Sequence, residues 1–599
     1  MSAAEACRQL ADYLLAMPTH SLFPNIQNVL GRSGQSLAGR WRTIVDPYEA
    51  GRLNIYGSPW SAGWYREFPF RPGLAEYDFE KSDLLNVPGD WNSQSERLFF
   101  YEGTVWYKRS FDTSLREGRR LFVYFGAANY QSRVYLNGEE IGAHEGGFSP
   151  FTFEITDKVH SGTNALIVGV DATRRADGVP GTQTDWWNYG GITRDVLLLE
   201  FGAVFIRDYQ VKLGAGDRVE GWLQLDDGNS GAAANASVQV RIHELGVDAE
   251  LTADADGRAE FSVQASPALW SPESPTRYEV SIASAEDAVS DRVGFRKIEV
   301  DGSQILLNGD EIFLRGIAIH EEAPLREGRA FGEDDARVLL GWAKQLGCNF
   351  VRLAHYTHDE SMVRVADELG LLVWGEVPVY WNLDWENAGT LANAKRQLRS
   401  MLERDRNRAA FVLCSIGNEA PGTPERLSFM GQLADHVREV DDQRLVTCAL
   451  MAANEDGEMV INDPMGEYLD VMGCNEYLGW YYGDVATLPD VKWRSKYDKP
   501  LVMSELGAGA LAGRHGDATE PFTEEHQAAV YTGQIAMMEK FPFLRGLSPW
   551  ILRDFRSPRR VLPGIQDYYN RKGLVSERGQ RKLAFFVLKR WYEKLAKGS

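Results

Sequence analysis

Hydrophobic and polar positions alternate with a period of two over much of the first 300 residues. The runs WYKRSFD (106–112), RLFVYFGAA (120–128), SRVYLNGEEIG (132–142) and NALIVGV (164–170) are short and alternating, with Asn137-Gly138 placed as a hairpin turn. Residues 1–202 therefore read as a β-sandwich of jelly-roll type. The alternation continues over 203–299 in FIRDYQVKL, EGWLQLD, ASVQVRIHEL, RAEFSVQ and RYEVSIAS. Roughly seven strands in about 95 residues predict an immunoglobulin-like β-sandwich.

Near residue 300 the period changes. Eight apolar runs follow: FLRGIAIH (313–320), NFVRLAH (349–355), LLVWGEV (371–377), FVLCSIGNE (411–419), RLVTCAL (444–450), VMGCNEY (471–477), LVMSELG (501–507) and RGLSPWIL (545–552). Most are separated by helical stretches such as DARVLLGWAKQLG and ESMVRVADELG. Eight β/α units predict a C-terminal (β/α)8 TIM barrel over 300–599. His320, His355, Glu376, Asn418, Glu419, Tyr477 and Glu505 fall at the C-terminal ends of these runs, the rim where this fold keeps its chemistry.

The formal charge of −21 argues against nucleic acid and anionic membrane as partners, and it obliges any anionic substrate to find a local cation. Cys7, Cys348, Cys414, Cys448 and Cys474 are odd in number and widely spaced, as buried thiols rather than disulfides or a metal site would be. No apolar run reaches the ~18 residues of a membrane span. The start, MSAAEACRQLADYLLAMPTH, lacks a basic region before its short apolar piece, so a cytoplasmic location is expected. No metal or other cofactor is expected.

Glu419 ends the fourth run and Glu505 the seventh, on opposite sides of a barrel mouth. Two carboxylates facing one cleft suit glycoside hydrolysis: one protonates the leaving oxygen, and the other attacks the anomeric carbon or activates water.

SIGNEA with Asn418-Glu419, and SELG with Glu505, resemble the motifs of glycoside hydrolase family two. The resemblance extends through SLAGRW (36–41), VWYKRSF, YLNGEEIGAHEGGFSPF, WWNYGGITRDV (186–196), LLNGDEIFLRGIAIHEE (306–322) and VRLAHY (351–356), nearly the whole chain. It implies a retaining, double-displacement mechanism with Glu505 as nucleophile and Glu419 as acid/base, their carboxyl groups ~5–5.5 Å apart. Asn418 matches the residue that binds the sugar 2-hydroxyl, and Tyr477 the tyrosine that orients the nucleophile. His320 and His355 match positions lining the sugar pocket, while Trp480, Tyr481 and Trp550 are candidates for stacking on the sugar.

Asn570 and Lys572, in NRKGLVS (570–576), match the Asn-x-Lys pair of the family's β-glucuronidases, where an amide and an ammonium bind the C6 carboxylate. Asp185 matches a residue reaching from the first domain to the sugar 4-hydroxyl. One departure is visible: many bacterial glucuronidases carry Arg four residues before the Asn, and this chain has Gln566, with Arg559 or Arg560 as replacements. The resemblance thus implies an exo-acting enzyme releasing terminal β-D-glucuronic acid from small-molecule or oligosaccharide glycosides. β-Galacturonidase or β-galactosidase activity is the alternative, and a catalytically silent carbohydrate-binding protein a more remote one. Large members of the family make a homo-oligomer an expectation.

Overall fold

The computed structural model describes residues 25–54, 56–58, 63–64, 77–114, 116–228 and 230–598. Cys7 and the apolar start of the chain lie outside them.

The first domain packs a six-stranded antiparallel sheet (Asp83–Val87, Gly39–Asp46, Thr104–Thr113, Gly162–Asp171, Gln131–Leu136, Glu139–Glu145, in spatial order) on a four-stranded one (Gly34–Ser36, Val196–Phe201, Arg120–Phe125, Phe151–Glu154). Trp41, Tyr107, Val123, Phe125, Val134, Val168 and Leu198 fill the space between them. The hairpin at Asn137-Gly138 is two residues long, with both residues at positive φ (52° and 85°), the backbone a type I′ turn requires. The second domain has the seven strands expected of it. Phe205–Leu213, Arg218–Asp226 and Arg258–Gln264 form one sheet, and Val247–Thr252, Ser237–Ile242, Tyr278–Ser284 and Ala288–Val293 form the other.

The third domain is a parallel barrel. Its strand β1 is in two pieces, Leu314–Arg315 and Ala318–Ile319. The others are β2 (Phe350–Leu353), β3 (Leu372–Glu376), β4 (Phe411–Asn418), β5 (Leu445–Met451), β6 (Val471–Asn475), β7 (Leu501–Glu505) and β8 (Leu544–Leu547). The first piece of β1 pairs with β8 and the second with β2, which closes the ring. Gly316 lies at the break because a Cβ there would stand 2.4 Å from Phe350 and 2.5 Å from the Leu547 carbonyl. Val351, Leu353, Val373, Leu413, Val446, Met472, Val502 and Leu547 are buried in the barrel core. Each such side chain contributes roughly 1.5–3 kcal/mol by leaving water.

Six α-helices accompany the strands: α1 (Gly332–Leu346), α2 (Glu360–Leu369), α3 (Ala388–Asp405), α4 (Pro424–Val440), α5 (Glu524–Met538) and α6 (Leu583–Gly598). The regular alternation expected from the sequence breaks after β5 and after β6. A small three-stranded sheet (Ala453–Glu455, Glu458–Ile461, Lys492–Ser495) and short 3-10 turns stand there instead. Pro489, inside the turn after β6, removes an N–H group that a continuing helix needs. Cys348, Cys414, Cys448 and Cys474 are free and buried. Among the described residues no helix is long and apolar enough to cross a membrane.

One segment of the first domain bears on the barrel mouth. The loop between Gly162–Asp171 and Val196–Phe201 carries Asp185, Trp186 and Arg194 across the interface. Arg194 is buried and donates to the carbonyls of Phe148 (2.9 Å) and Thr357 (2.7 Å) and to Glu321 (3.2 Å). Trp186 joins Tyr356, Tyr380, Trp550 and Phe555 in an aromatic cluster over the barrel.

Candidate active site

Glu505 is the last residue of β7 and is buried. A carboxylate in that position is costly unless it is paired, and both of its oxygens are. Oε1 accepts from Arg352 Nη1 at 2.9 Å, and Oε2 accepts from the Tyr477 hydroxyl at 2.6 Å. His355 Nε2 stands 3.7 Å from Oε1. Burial pushes the Glu505 carboxyl up and Glu419 adds to this, while Arg352, His355 and Tyr477 hold it back; the net shift is upward.

Arg352, in the middle of β2, is fully buried. It donates to Glu505, to both oxygens of Glu376 (3.2 and 3.1 Å) and to Asn418 Oδ1 (2.7 Å). Glu376 also accepts from His355 Nδ1 and Trp374 Nε1, each at 2.8 Å. Burial alone would raise Glu376, but Arg352 and His355 outweigh it and hold the carboxyl at about 2. Glu376 is therefore a permanent anion beneath the site that keeps Arg352 and His355 in place.

Glu419 follows β4 with φ 48°, a left-handed conformation uncommon for a residue with a side chain. Its Oε2 accepts from Trp381 Nε1 at 2.8 Å and its Oε1 from Asn475 Nδ2 at 3.0 Å. Asn475 also donates to Asn418 Oδ1 (3.1 Å) and accepts from the Ser504 hydroxyl (2.7 Å). One amide at the end of β6 thereby links the turn carrying Glu419 to β7. Asn418 Nδ2 is buried and has no partner among the described residues, so an unused donor remains at the end of β4, next to Glu419 in sequence.

Glu419 and Glu505 line one cavity of about 320 Å³ at the barrel mouth. Asp185, His355, Tyr477, Tyr481, Trp550, Arg560 and Lys572 line it too. Lys572 is buried, and its Nζ donates to the Tyr481 hydroxyl at 2.6 Å between the Tyr477 and Tyr481 ring faces, 4.8 and 4.7 Å from their centroids. Burial pushes the Tyr481 phenol up, but Lys572 and Arg560 outweigh it and draw it below its usual value. Arg560 also grips Asp185, whose oxygens accept from Ser557 Oγ (2.6 Å), Arg560 Nε (3.1 Å) and Asn570 Nδ2 (3.2 Å).

The other expected site residues occupy different positions. Asn570 is buried behind Asp185, its Oδ1 accepting from the Lys572 backbone N–H, so it braces the two residues rather than facing the cavity. His320 lies beneath the aromatic layer, with Nδ1 3.1 Å from the Tyr356 hydroxyl and Nε2 without a partner among the described residues. Burial, with His355 nearby, lowers it well below the usual histidine value. Trp550 stacks on His355 at 4.7 Å. Trp480 turns away from the cavity to pack against Phe522 (5.2 Å) and His526 (6.0 Å), so it does not face a sugar there. Gln566 accepts from the Leu562 backbone N–H outside the cavity, and Arg559 lies over the Trp381 ring at 5.0 Å. Glu321, beside His320 in sequence, is held by Arg194 and Arg329. Among the described residues, no group of three or more His, Cys, Asp or Glu is placed to hold a metal ion.

Sequence reasoning did not single out Arg352, Asn475 or Trp381. The signal for Arg352 was an arginine inside the apolar run NFVRLAH, a burial that is costly unless a carboxylate waits for it. Asn475 and Trp381 carried no comparable signal, because their roles come from neighbouring strands.

Three descriptions of one family match the chain in order. They are the sugar-binding domain of glycosyl hydrolases family 2 over residues 36–201, a second family 2 domain over 204–296, and the family 2 TIM barrel domain over 298–595. A β-glucuronidase of Paenibacillus borealis is 27% identical, with 96% of this chain and 98% of that protein covered. The solved β-glucuronidase of an uncultured Clostridium sp. has a TM-score of 0.81 at 26% identity, covering 96% of this chain and all of that one. A family 2 β-galacturonidase from Eisenbergiella tayi, solved with galacturonate bound, has a TM-score of 0.78 at 23% identity over 96% of this chain and 99% of that one, a likeness of fold alone. With three consecutive domain matches and a carboxylate pair at the barrel mouth, the chain belongs to glycosyl hydrolases family 2 and is a glycosidase.

Proposed function

We propose that this enzyme is a retaining, exo-acting β-glucuronidase. The observation that carries the sugar assignment is the pair of cations in one cavity wall: Lys572, which donates to the Tyr481 phenol, and Arg560, which is held by Asp185. Two cations lining one open cavity suit a carboxylate better than a neutral hydroxymethyl group. Charge-assisted hydrogen bonds of this kind are roughly twice as strong as neutral ones. The relatives named β-glucuronidase over nearly their full length support the same reading.

In this mechanism Glu419 gives a proton to the leaving oxygen as Glu505 attacks the anomeric carbon. The bond to the leaving group breaks as the glycosyl–Glu505 ester forms. Arg352 and Tyr477 fix the two Glu505 oxygens and so orient the attack. The free Asn418 amide donor suits the 2-hydroxyl. Glu419, now a carboxylate, takes a proton from water, which attacks the ester, releasing β-glucuronic acid and restoring Glu505.

A β-galacturonide is the second reading, and one observation favours it: the Asp185 oxygens matched to the 4-hydroxyl are already engaged by Arg560, Ser557 and Asn570. A panel of 4-nitrophenyl β-glycosides decides between them. Glucuronide turnover well above that of galacturonide, galactoside and glucoside is expected. A galacturonide preference overturns the sugar assignment, and a galactoside preference overturns the role given to Lys572 and Arg560.

A further inference from the structure

Around the barrel mouth, the cavity wall divides into two halves. Lys572, Arg560, Asp185 and Trp550 stand on the half bounded by β8 and the first domain. Glu419 stands on the other half, after β4, and Met451 at the end of β5, with Ala452, Glu476 and Tyr482 from the segments after β5 and β6, continues that wall. The leaving group must lie on the half that holds the acid. That half contains a third carboxylate. Glu476 accepts from the Tyr477 backbone N–H (2.7 Å) and the Tyr482 hydroxyl (2.5 Å), both through Oε1. Its Oε2 is engaged by no cation among the described residues, and Glu476 is 7% exposed. Burial raises the Glu476 carboxyl, and Glu419 raises it further. Met451 and Tyr482, 51% exposed each, offer hydrocarbon and ring surface beside it.

We propose that Glu476, Tyr482 and Met451 form a leaving-group subsite for a second sugar residue, whose hydroxyls donate to Glu476 while its C–H face lies on Met451. A buried carboxylate with an unused oxygen is a strong acceptor, and vicinal hydroxyls are donors without charge. An anionic leaving group is disfavoured by Glu476 and Glu419 together, and a flat aryl group leaves Glu476 without a donor. The subsite rests on the glycosidase reading with Glu419 as acid, and it is independent of which uronic acid occupies the other half.

The test compares three leaving groups on one uronic acid: a neutral hexose, an ethyl group and 4-nitrophenol. The ethyl glycoside needs the acid as much as the disaccharide does but has no hydroxyls. In Glu476→Gln, the ratio of kcat/KM for the disaccharide to that for the ethyl glycoside should fall by about 10-fold or more, the size of one hydrogen bond to a charged acceptor. Tyr482→Phe should lower the same ratio by less. An unchanged ratio overturns the subsite, and equal losses on disaccharide and ethyl glycoside mean that Glu476 acts through Glu419 instead. The series is built on whichever uronic acid the wild-type enzyme cleaves, so failure on glucuronides overturns the sugar assignment and leaves the subsite test intact.

Discussion

Replacing Lys572 by Ala removes the more deeply buried of the two cations lining the cavity. Its ammonium is 2.6 Å from the Tyr481 hydroxyl and lies between two ring faces, so a uronate carboxylate arriving there meets a fixed donor already stripped of most of its water. Truncating one partner of a buried, hydrogen-bonded charge pair costs roughly 2–5 kcal/mol. Arg560 remains as a second cation in the same cavity, which places the expected loss at the lower end, about 2 kcal/mol, or roughly 30-fold in kcat/KM. The assay is the ratio of kcat/KM for 4-nitrophenyl β-glucuronide to that for the β-glucoside, because a ratio cancels general damage to folding. The neutral glucoside has no carboxylate to lose, so its rate should hold or rise and the ratio should fall by that factor. Equal losses on both substrates would mean that Lys572 only braces Tyr481 and the loop carrying Asn570, and the account of the carboxylate clamp would then be wrong.

Glu505→Ala should lose several orders of magnitude in kcat while keeping the wild-type melting temperature within a few degrees. Added azide should restore part of the rate and give the α-glycosyl azide, and turnover near the wild-type level excludes Glu505 as nucleophile. The acid limb of the kcat/KM profile should lie above the usual carboxylate value of 4.5, because Glu505 must be ionised to attack and its carboxyl is shifted upward. Activity is thus lost as pH falls through that raised value. Tyr477→Phe removes a donor that favours the ionised form, so it should move the limb to still higher pH; a limb that stays in place means that another group controls it.

Much of this site was legible in the chain because the barrel enforces a simple rule: polar residues at the ends of apolar strands gather at the mouth, in the cavity or directly beneath it. Glu419, Glu505, Tyr477 and His355 all follow it. Each of the eight apolar runs overlaps a barrel strand, including RGLSPWIL, whose strand stops at Leu547 so that Trp550 falls on the rim. Trp480 shows where the rule fails. It sits in the loop after β6 rather than at a strand end, and loop direction is set by packing against Phe522 and, on α5, His526. The helices absent after β5 and β6 were hidden for a related reason, since strand periodicity says nothing about what connects the strands. Arg560 was legible only as one of two neighbouring arginines. Its selection over Arg559 depends on Asp185, which comes from another domain.

That dependence makes the first domain part of the cavity wall. Asp185 and Trp186 are delivered by a sandwich loop, and Trp186 lies 5.7 Å from the His355 ring and 4.8 Å from the Tyr380 ring. Their placement is held by a charge cluster with almost no exposure, in which Arg194 of the sandwich meets Glu321 of the barrel at 3.2 Å and Arg329 meets the same carboxylate at 3.4 Å. A buried ion pair is weak evidence for stability, since desolvation offsets much of its attraction, but breaking one leaves an uncompensated charge at a cost of roughly 3–5 kcal/mol. The cluster therefore penalises any other docking of the two domains more than it favours folding as such. The barrel supplies both glutamates and Lys572. Without the sandwich fixed in this one orientation it would hold Arg560 with no partner at Asp185, and the cavity would lose the part of its wall that Asp185 supplies.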